Sequence, residues 1–196
     1  RIQEVVSFPY DDSRAYLCFV LVEYVQGDGE IYLLPLNFAS GGKSQEIIEE
    51  NSQAVVARLA GGRAGEAETL VYEPIFDPGF ANALLRFMRA RRSLRGDNGE
   101  IQGWTIRKAR QLTGSLEELV PAAIHAEQTN TSVIFGQQFI LKLFRKLEPG
   151  INPELEIGRF LTERGFEHVP RVVGAIEYAK APDQPISVAI LQEYVP

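Results

Sequence analysis

The chain has 196 residues, a formal net charge of −6 and a single cysteine, with 45% hydrophobic and 23% charged residues. That composition excludes a disordered or disulfide-framed chain, and a core of this size stands without a structural metal. The acidic balance argues against nucleic acid or an anionic lipid surface as partner, and no apolar run reaches the ~18 residues that cross a bilayer, so a cytoplasmic protein is expected.

In chain order, residues 15–25 are rich in aromatic and β-branched types and predict a strand. Gly27-Asp28-Gly29 predicts a tight turn, and residues 31–39 the returning arm of a hairpin. Pro35 fits that arm only where its missing N–H meets an edge or a bulge. A short helix over 44–51 and strands over 53–60 and 68–76 follow, the strands joined by the glycine-rich loop 61–65, to complete a four-strand meander. Cys18 reads as a small apolar residue buried in a strand, and as a lone thiol it suits a reducing compartment.

Asp77-Pro78 opens a helix, because Asp accepts from free N–H groups at the cap and Pro fits the first helical position. The helix is expected to run to about Leu94, laying Phe80, Leu84, Phe87 and Met88 on a sheet. Arg86, Arg89, Arg91, Arg92 and Arg95 read as solvated cations complementing its C-terminal dipole. A strand over 101–111 closes a helix-on-sheet unit. After Thr113-Gly114-Ser115 come short strands around 120–126, 132–135 and 139–144, a helix from Asn152-Pro153 to Gly165, and strands over 169–177 and 186–194. Strand, strand, strand, helix, strand, strand is the order of the small lobe of the protein-kinase-like fold. Arg1 in place of Met, and an end at Val195-Pro196 directly after a strand, lead to the expectation of a piece of a longer polypeptide.

The chemistry centres on Lys142, an ammonium inside the apolar run 139–144, which requires a negative partner. The expected partner is Glu156 on the helix opened by Pro153, bordering an apolar face of Ile157, Phe160 and Leu161. A strand lysine held by a helix glutamate is how protein kinases grip the α- and β-phosphates. Upstream, Glu127-Gln128-Thr129-Asn130-Thr131-Ser132 is a polar loop where hydroxyls and backbone N–H groups can donate to phosphate oxygens, although it lacks the G-x-G-x-x-G spacing.

The runs 126–136 (Ala-Glu-Gln-Thr-Asn-Thr-Ser-Val-Ile-Phe-Gly) and 140–161 (Ile-Leu-Lys-Leu-Phe-Arg-Lys-Leu-Glu-Pro-Gly-Ile-Asn-Pro-Glu-Leu-Glu-Ile-Gly-Arg-Phe-Leu) resemble those of the bacterial maltokinases and of trehalose synthase–maltokinase fusions. Tyr32-Leu33-Leu34-Pro35-Leu36 resembles a phrase of their N-terminal cap. The resemblance implies an α+β fold: a cystatin-like helix-on-antiparallel-sheet cap over 1–112, then the small antiparallel-sheet lobe of a protein-kinase-like, aminoglycoside-phosphotransferase-like fold over 113–196. It implies that Gln128, Thr129, Asn130, Thr131 and Ser132 form the phosphate loop and that Lys142 and Glu156 are the phosphate-binding pair. Gln192, Glu193, Tyr194 and Val195 would be the hinge that meets adenine. ATP and Mg²⁺ are the implied cofactors, maltose the implied acceptor, and maltose 1-phosphate for α-glucan and trehalose metabolism the implied product. The family's catalytic base, Mg²⁺ ligands and maltose pocket belong to a C-terminal lobe absent from this sequence, so the piece alone is expected to be inactive.

Other chemistries are poorly represented: His125 and His168 have no cysteine or histidine at ligand spacing, and no H-E-x-x-H or G-x-S-x-G occurs. Trp104, Tyr16, Tyr24 and Tyr32 fit packing better than a sugar-stacking face. The competing reading is a non-catalytic module that docks a fused or partner trehalose synthase, motivated by the large unit before the nucleotide loop.

Overall fold

The computed structural model of the protein describes residues 1–61, 68–106, 119–124 and 130–196. Its first sheet begins with β1 (Ile2–Tyr10), β2 (Ser13–Val22) and β3 (Glu30–Ser40). The two-residue link between β1 and β2 places Asp11 at φ 44°, a left-handed position that Asp tolerates and tight hairpins need. α1 (Gly42–Glu50), β4 (Val55–Leu59) and β5 (Thr69–Tyr72) follow, and the strands pair in the order β1-β2-β3-β5-β4. The four expected strands share one sheet, but the meander is broken: β3 pairs with β5 and leaves β4 at the outer edge, while β1 is added at the other edge. Cys18 is 7% exposed within β2, and burial pushes its thiol pKa up.

α2 (Pro78–Arg89) starts as expected, with the Asp77 carboxylate accepting from the Gly79 N–H at 2.9 Å. It stops five residues earlier than the run of arginines suggested. Arg91 turns to φ 50° and its guanidinium donates to the Thr105 carbonyl at 2.8 Å, which frees β6 (Ser93–Arg95) to pair with β7 (Glu100–Thr105). Phe80, Ala81, Ala83, Leu84, Leu85, Phe87 and Met88 are all buried, more of the circumference than one stripe. One side meets β1, where Phe8 lies 5.6 Å from Phe80 and 5.3 Å from Phe87 between ring centroids. The other side lies on β7 at Gly103, where a Cβ would come within 2.8 Å of the Phe87 carbonyl oxygen.

The second sheet adds β8 (Pro121–Ile124), β9 (Asn130–Phe135), β10 (Phe139–Phe144), β12 (Val172–Ala179) and β13 (Ile186–Glu193) in the order β6-β7-β12-β13-β10-β9-β8. The short β11 (Lys146–Leu147) pairs instead with β3 of the first sheet. Pro35 sits in the interval on β3 between the Leu33 N–H, which donates to the Arg145 carbonyl at 2.8 Å, and Asn37, where pairing with β5 begins. Its missing donor therefore breaks no ladder. Because β6 and β7 precede residue 112 yet pair toward β12, the second sheet draws on both sides of the expected boundary. One apolar core cluster runs from Val6 and Phe8 through Phe87 to Leu141 and Ile190. The protein is thus α+β, built mainly of antiparallel sheet. No helix among the described residues is long and apolar enough to cross a membrane.

Candidate functional site

In β10 the inward positions are apolar and Lys142 takes the alternate face, where it is opposite Ser132 of β9 and Ile190 of β13. Side chains directly opposite in antiparallel strands share a face, so Ile134, Ile140 and Gln192 lie beside it. α3 (Pro153–Glu163) packs at one side of this face, against Val172 of β12. Asn152 caps it, its side chain accepting from the Glu154 N–H at 2.9 Å, and Pro153 occupies the first helical position.

The carboxylate that meets Lys142 is Glu154, not Glu156. Lys142 Nζ donates to Glu154 Oε1 at 2.6 Å, with the two side chains 23% and 37% exposed. The reason lies in how α3 rests on the sheet. Ile157 and Phe160, expected to be buried, are 58% and 55% exposed, and Leu155 is the buried residue of the helix. The contact stripe is Leu155, Gly158 and Thr162: a Cβ at Gly158 would fall 2.8 Å from Val172 Cγ2, and Thr162 Oγ1 accepts from the Val172 N–H at 2.9 Å. Two residues turn a helix by roughly 200°, so with Glu154 toward β10, Glu156 is exposed on the side of Trp104 and Arg159. Glu154 also stands in the first turn, where the helix dipole favours a carboxylate.

Of the expected phosphate loop, Gln128 and Thr129 lie outside the described residues. Asn130, Thr131 and Ser132 already belong to β9. Asn130 and Ser132 share the face of Lys142, whereas Thr131 is opposite Leu143 and turns the other way. Its hydroxyl accepts from Arg145 Nε at 2.7 Å, and the same guanidinium grips Glu73 through two bonds of 2.6 and 2.7 Å. Sequence reading passed over Glu73 and Arg145, since nothing in their spacing links positions 72 residues apart.

The expected hinge residues end β13. Gln192 is buried on the Lys142 face, opposite Ile140. The Glu193 N–H donates to the Arg171 carbonyl and the Tyr194 N–H to the Gln138 carbonyl, at 2.9 and 2.8 Å, while Val195 is 64% exposed. Glu193 also borders a cleft of about 600 Å³ whose walls include Trp104, Thr105, Arg159 and Val172. Trp104 carries Arg159 over its ring at 4.9 Å and donates its N–H to Glu177. Tyr16 packs edge-on against Phe38 at 5.9 Å.

Away from this face, Glu30 accepts from both Tyr24 and Tyr32, at 2.8 and 2.6 Å, and from Lys146 at 2.7 Å. The ammonium and the two phenols hold its carboxyl down at about 2, and Lys146 is raised in return. Glu4, only 3% exposed, accepts from the backbone N–H groups of Asp97, Asn98 and Gly99 and from the Tyr178 hydroxyl, fixing β1 to the β6–β7 turn. Burial and that carboxylate raise the Tyr178 phenol.

The fold resembles that of a kinase. It is similar to a solved structure of a glucosamine kinase, with a TM-score of 0.52 and 18% sequence identity, over 100% of this chain and 35% of that chain. This chain thus spans about a third of the length of the kinase it resembles. No protein-family model matches the sequence.

Proposed function

We propose that this chain is the nucleotide-facing part of an ATP-dependent sugar kinase of the maltokinase type. The observation that carries the reading is the Lys142–Glu154 pair, a strand ammonium held at 2.6 Å by a carboxylate of the helix that flanks this face of the sheet. A strand lysine so held presents a fixed positive charge to the α- and β-phosphates, while its carboxylate keeps it from swinging into solvent. The likeness in fold to a sugar kinase supports the class of reaction; the maltose acceptor rests on the resemblance of residues 126–161 to maltokinases.

In this reading Asn130 and Ser132 border the phosphates, Ile134 and Ile140 lie under the adenine, and Gln192 to Val195 form its hinge. Glu156 is assigned no contact with the nucleotide-binding lysine. Among the described residues no three His, Cys, Asp or Glu side chains gather as a metal-holding group. On the resemblance to maltokinases, Mg²⁺, the catalytic base and the sugar pocket are assigned to a second lobe of the kind that phosphoryl transfer needs to align its reactants.

The test is ³¹P NMR of ATP, Mg²⁺ and maltose. The 196-residue chain is expected to yield no maltose 1-phosphate. A longer polypeptide that includes a catalytic lobe is expected to produce it and to lose it on Lys142→Ala with assembly intact. Turnover unchanged by Lys142→Ala would overturn the kinase reading and favour a docking module for a trehalose synthase.

A further inference from the structure

Gln192 is a polar side chain in an apolar neighbourhood. It stands on the Lys142 face of the second sheet, opposite Ile140 of β10 and Val172 of β12, with Ile190 two residues before it on the same face. The residue is 6% exposed, and no described residue bonds its carboxamide, yet that amide is not sealed from solvent as the buried oxygens of Tyr72, Asn82 and Thr105 are. A largely buried carboxamide without partners costs free energy that a leucine of similar size would not, and a group supplied from outside the chain would recover it. α3 leaves the room: a Cβ at Gly158 would stand 3.8 Å from Gln192 Nε2, so the carboxamide occupies the gap where the helix carries no side chain.

Gln192 and Lys142 are diagonal neighbours on paired strands, roughly 7–8 Å apart, so one ligand resting on Ile134 and Ile140 reaches both. The backbone at this end of β13 has fewer donors to offer such a ligand, because the N–H groups of Glu193 and Tyr194 are spent on the Arg171 and Gln138 carbonyls. A carboxamide carries an acceptor oxygen and a donor nitrogen side by side. Adenine presents the matching pair, its 6-amino donor next to the N7 acceptor, whereas guanine presents two acceptors there, O6 and N7.

Given a nucleotide on this face, the reading on which the inference rests, we propose that Gln192 is the residue that selects adenine, its carboxamide oxygen accepting from the 6-amino group and its nitrogen donating to N7.

The probes are the magnesium complexes of ATP, GTP and 7-deaza-ATP, the last lacking the N7 acceptor, each titrated calorimetrically into the chain and into Gln192→Leu. The wild type should bind ATP about tenfold more tightly than 7-deaza-ATP, the effect of one hydrogen bond, and should discriminate against GTP at least as strongly. Gln192→Leu should bind ATP and 7-deaza-ATP alike and lose most of the preference for ATP over GTP. Equal binding of ATP and 7-deaza-ATP by the wild type, or a preference that survives unchanged in Gln192→Leu, would overturn selection by Gln192 while leaving the nucleotide on this face. Binding of none of the three triphosphates by the wild type would overturn the nucleotide reading together with it.

Discussion

Glu73→Ala tests how firmly the two sheets are joined. The substitution leaves the Arg145 guanidinium, 18% exposed, with Thr131 as its remaining side-chain acceptor. Breaking a fully buried pair costs about 3–5 kcal/mol, mostly from the stranded charge. The residual exposure of both partners and the surviving bond to Thr131 lower the expected loss to about 2–3 kcal/mol. With a urea slope of about 2 kcal/mol per M, the unfolding midpoint should fall by roughly 1–1.5 M. Replacing both partners, as Glu73→Leu with Arg145→Met, should recover most of that loss, because no buried charge remains. The coupling is read from equilibrium urea unfolding of the single and double variants in one thermodynamic cycle. A loss below about 0.5 kcal/mol for Glu73→Ala, the size of an exposed pair, would refute the view that this bond fastens the sheets.

Three further outcomes are expected. Glu4→Ala strands the N–H groups of residues 97–99 and the Tyr178 hydroxyl; at about 3 kcal/mol it should lower Tm by roughly 6–12 °C and speed amide exchange at 97–99, and unchanged exchange there would contradict the tie. Gly103→Ala pushes a methyl against α2 and should cost about 1–3 kcal/mol in the same urea assay, whereas a neutral effect would mean that helix and sheet can part without penalty. Glu30 has a folded pKa below its ordinary 4.5, so its stabilisation is complete above that pH and is lost as pH falls toward about 2. A carboxyl ¹³C titration should place its midpoint near 2, rising toward the ordinary value in Lys146→Met; a midpoint that does not move would remove the ammonium as the cause.

Local signals fixed much of the architecture. Asp77-Pro78 and Asn152-Pro153 open helices because their side chains satisfy the first free N–H groups, a fact contained in two adjacent letters. β1 escaped notice because the inward position at residue 4 holds a glutamate and Pro9 interrupts the run, so the alternation does not read as apolar. The carboxylate is tolerated there only because the distant 97–99 turn turns its N–H groups toward it. The pairing of β7 with β12 is likewise a contact across some 70 positions that no short window contains.

The candidate site was legible in half. A lysine inside an apolar strand demands a counter-charge whatever the fold, and position 142 was found on that ground. The identity of its partner was not, because the apolar letters Ile157, Phe160 and Leu161 suggested the wrong inward face. The helix rests on small residues instead, and Leu155, Gly158 and Thr162 at spacings of three and four were the signal for it.

Calorimetric titration of the chain with MgATP tests the central assignment most directly, comparing wild type with Lys142→Met, Glu154→Gln and Glu156→Gln. The account predicts that binding is abolished by the first, weakened by the second and untouched by the third. Equal binding by Lys142→Met, or a loss at Glu156→Gln with none at Glu154→Gln, would contradict it.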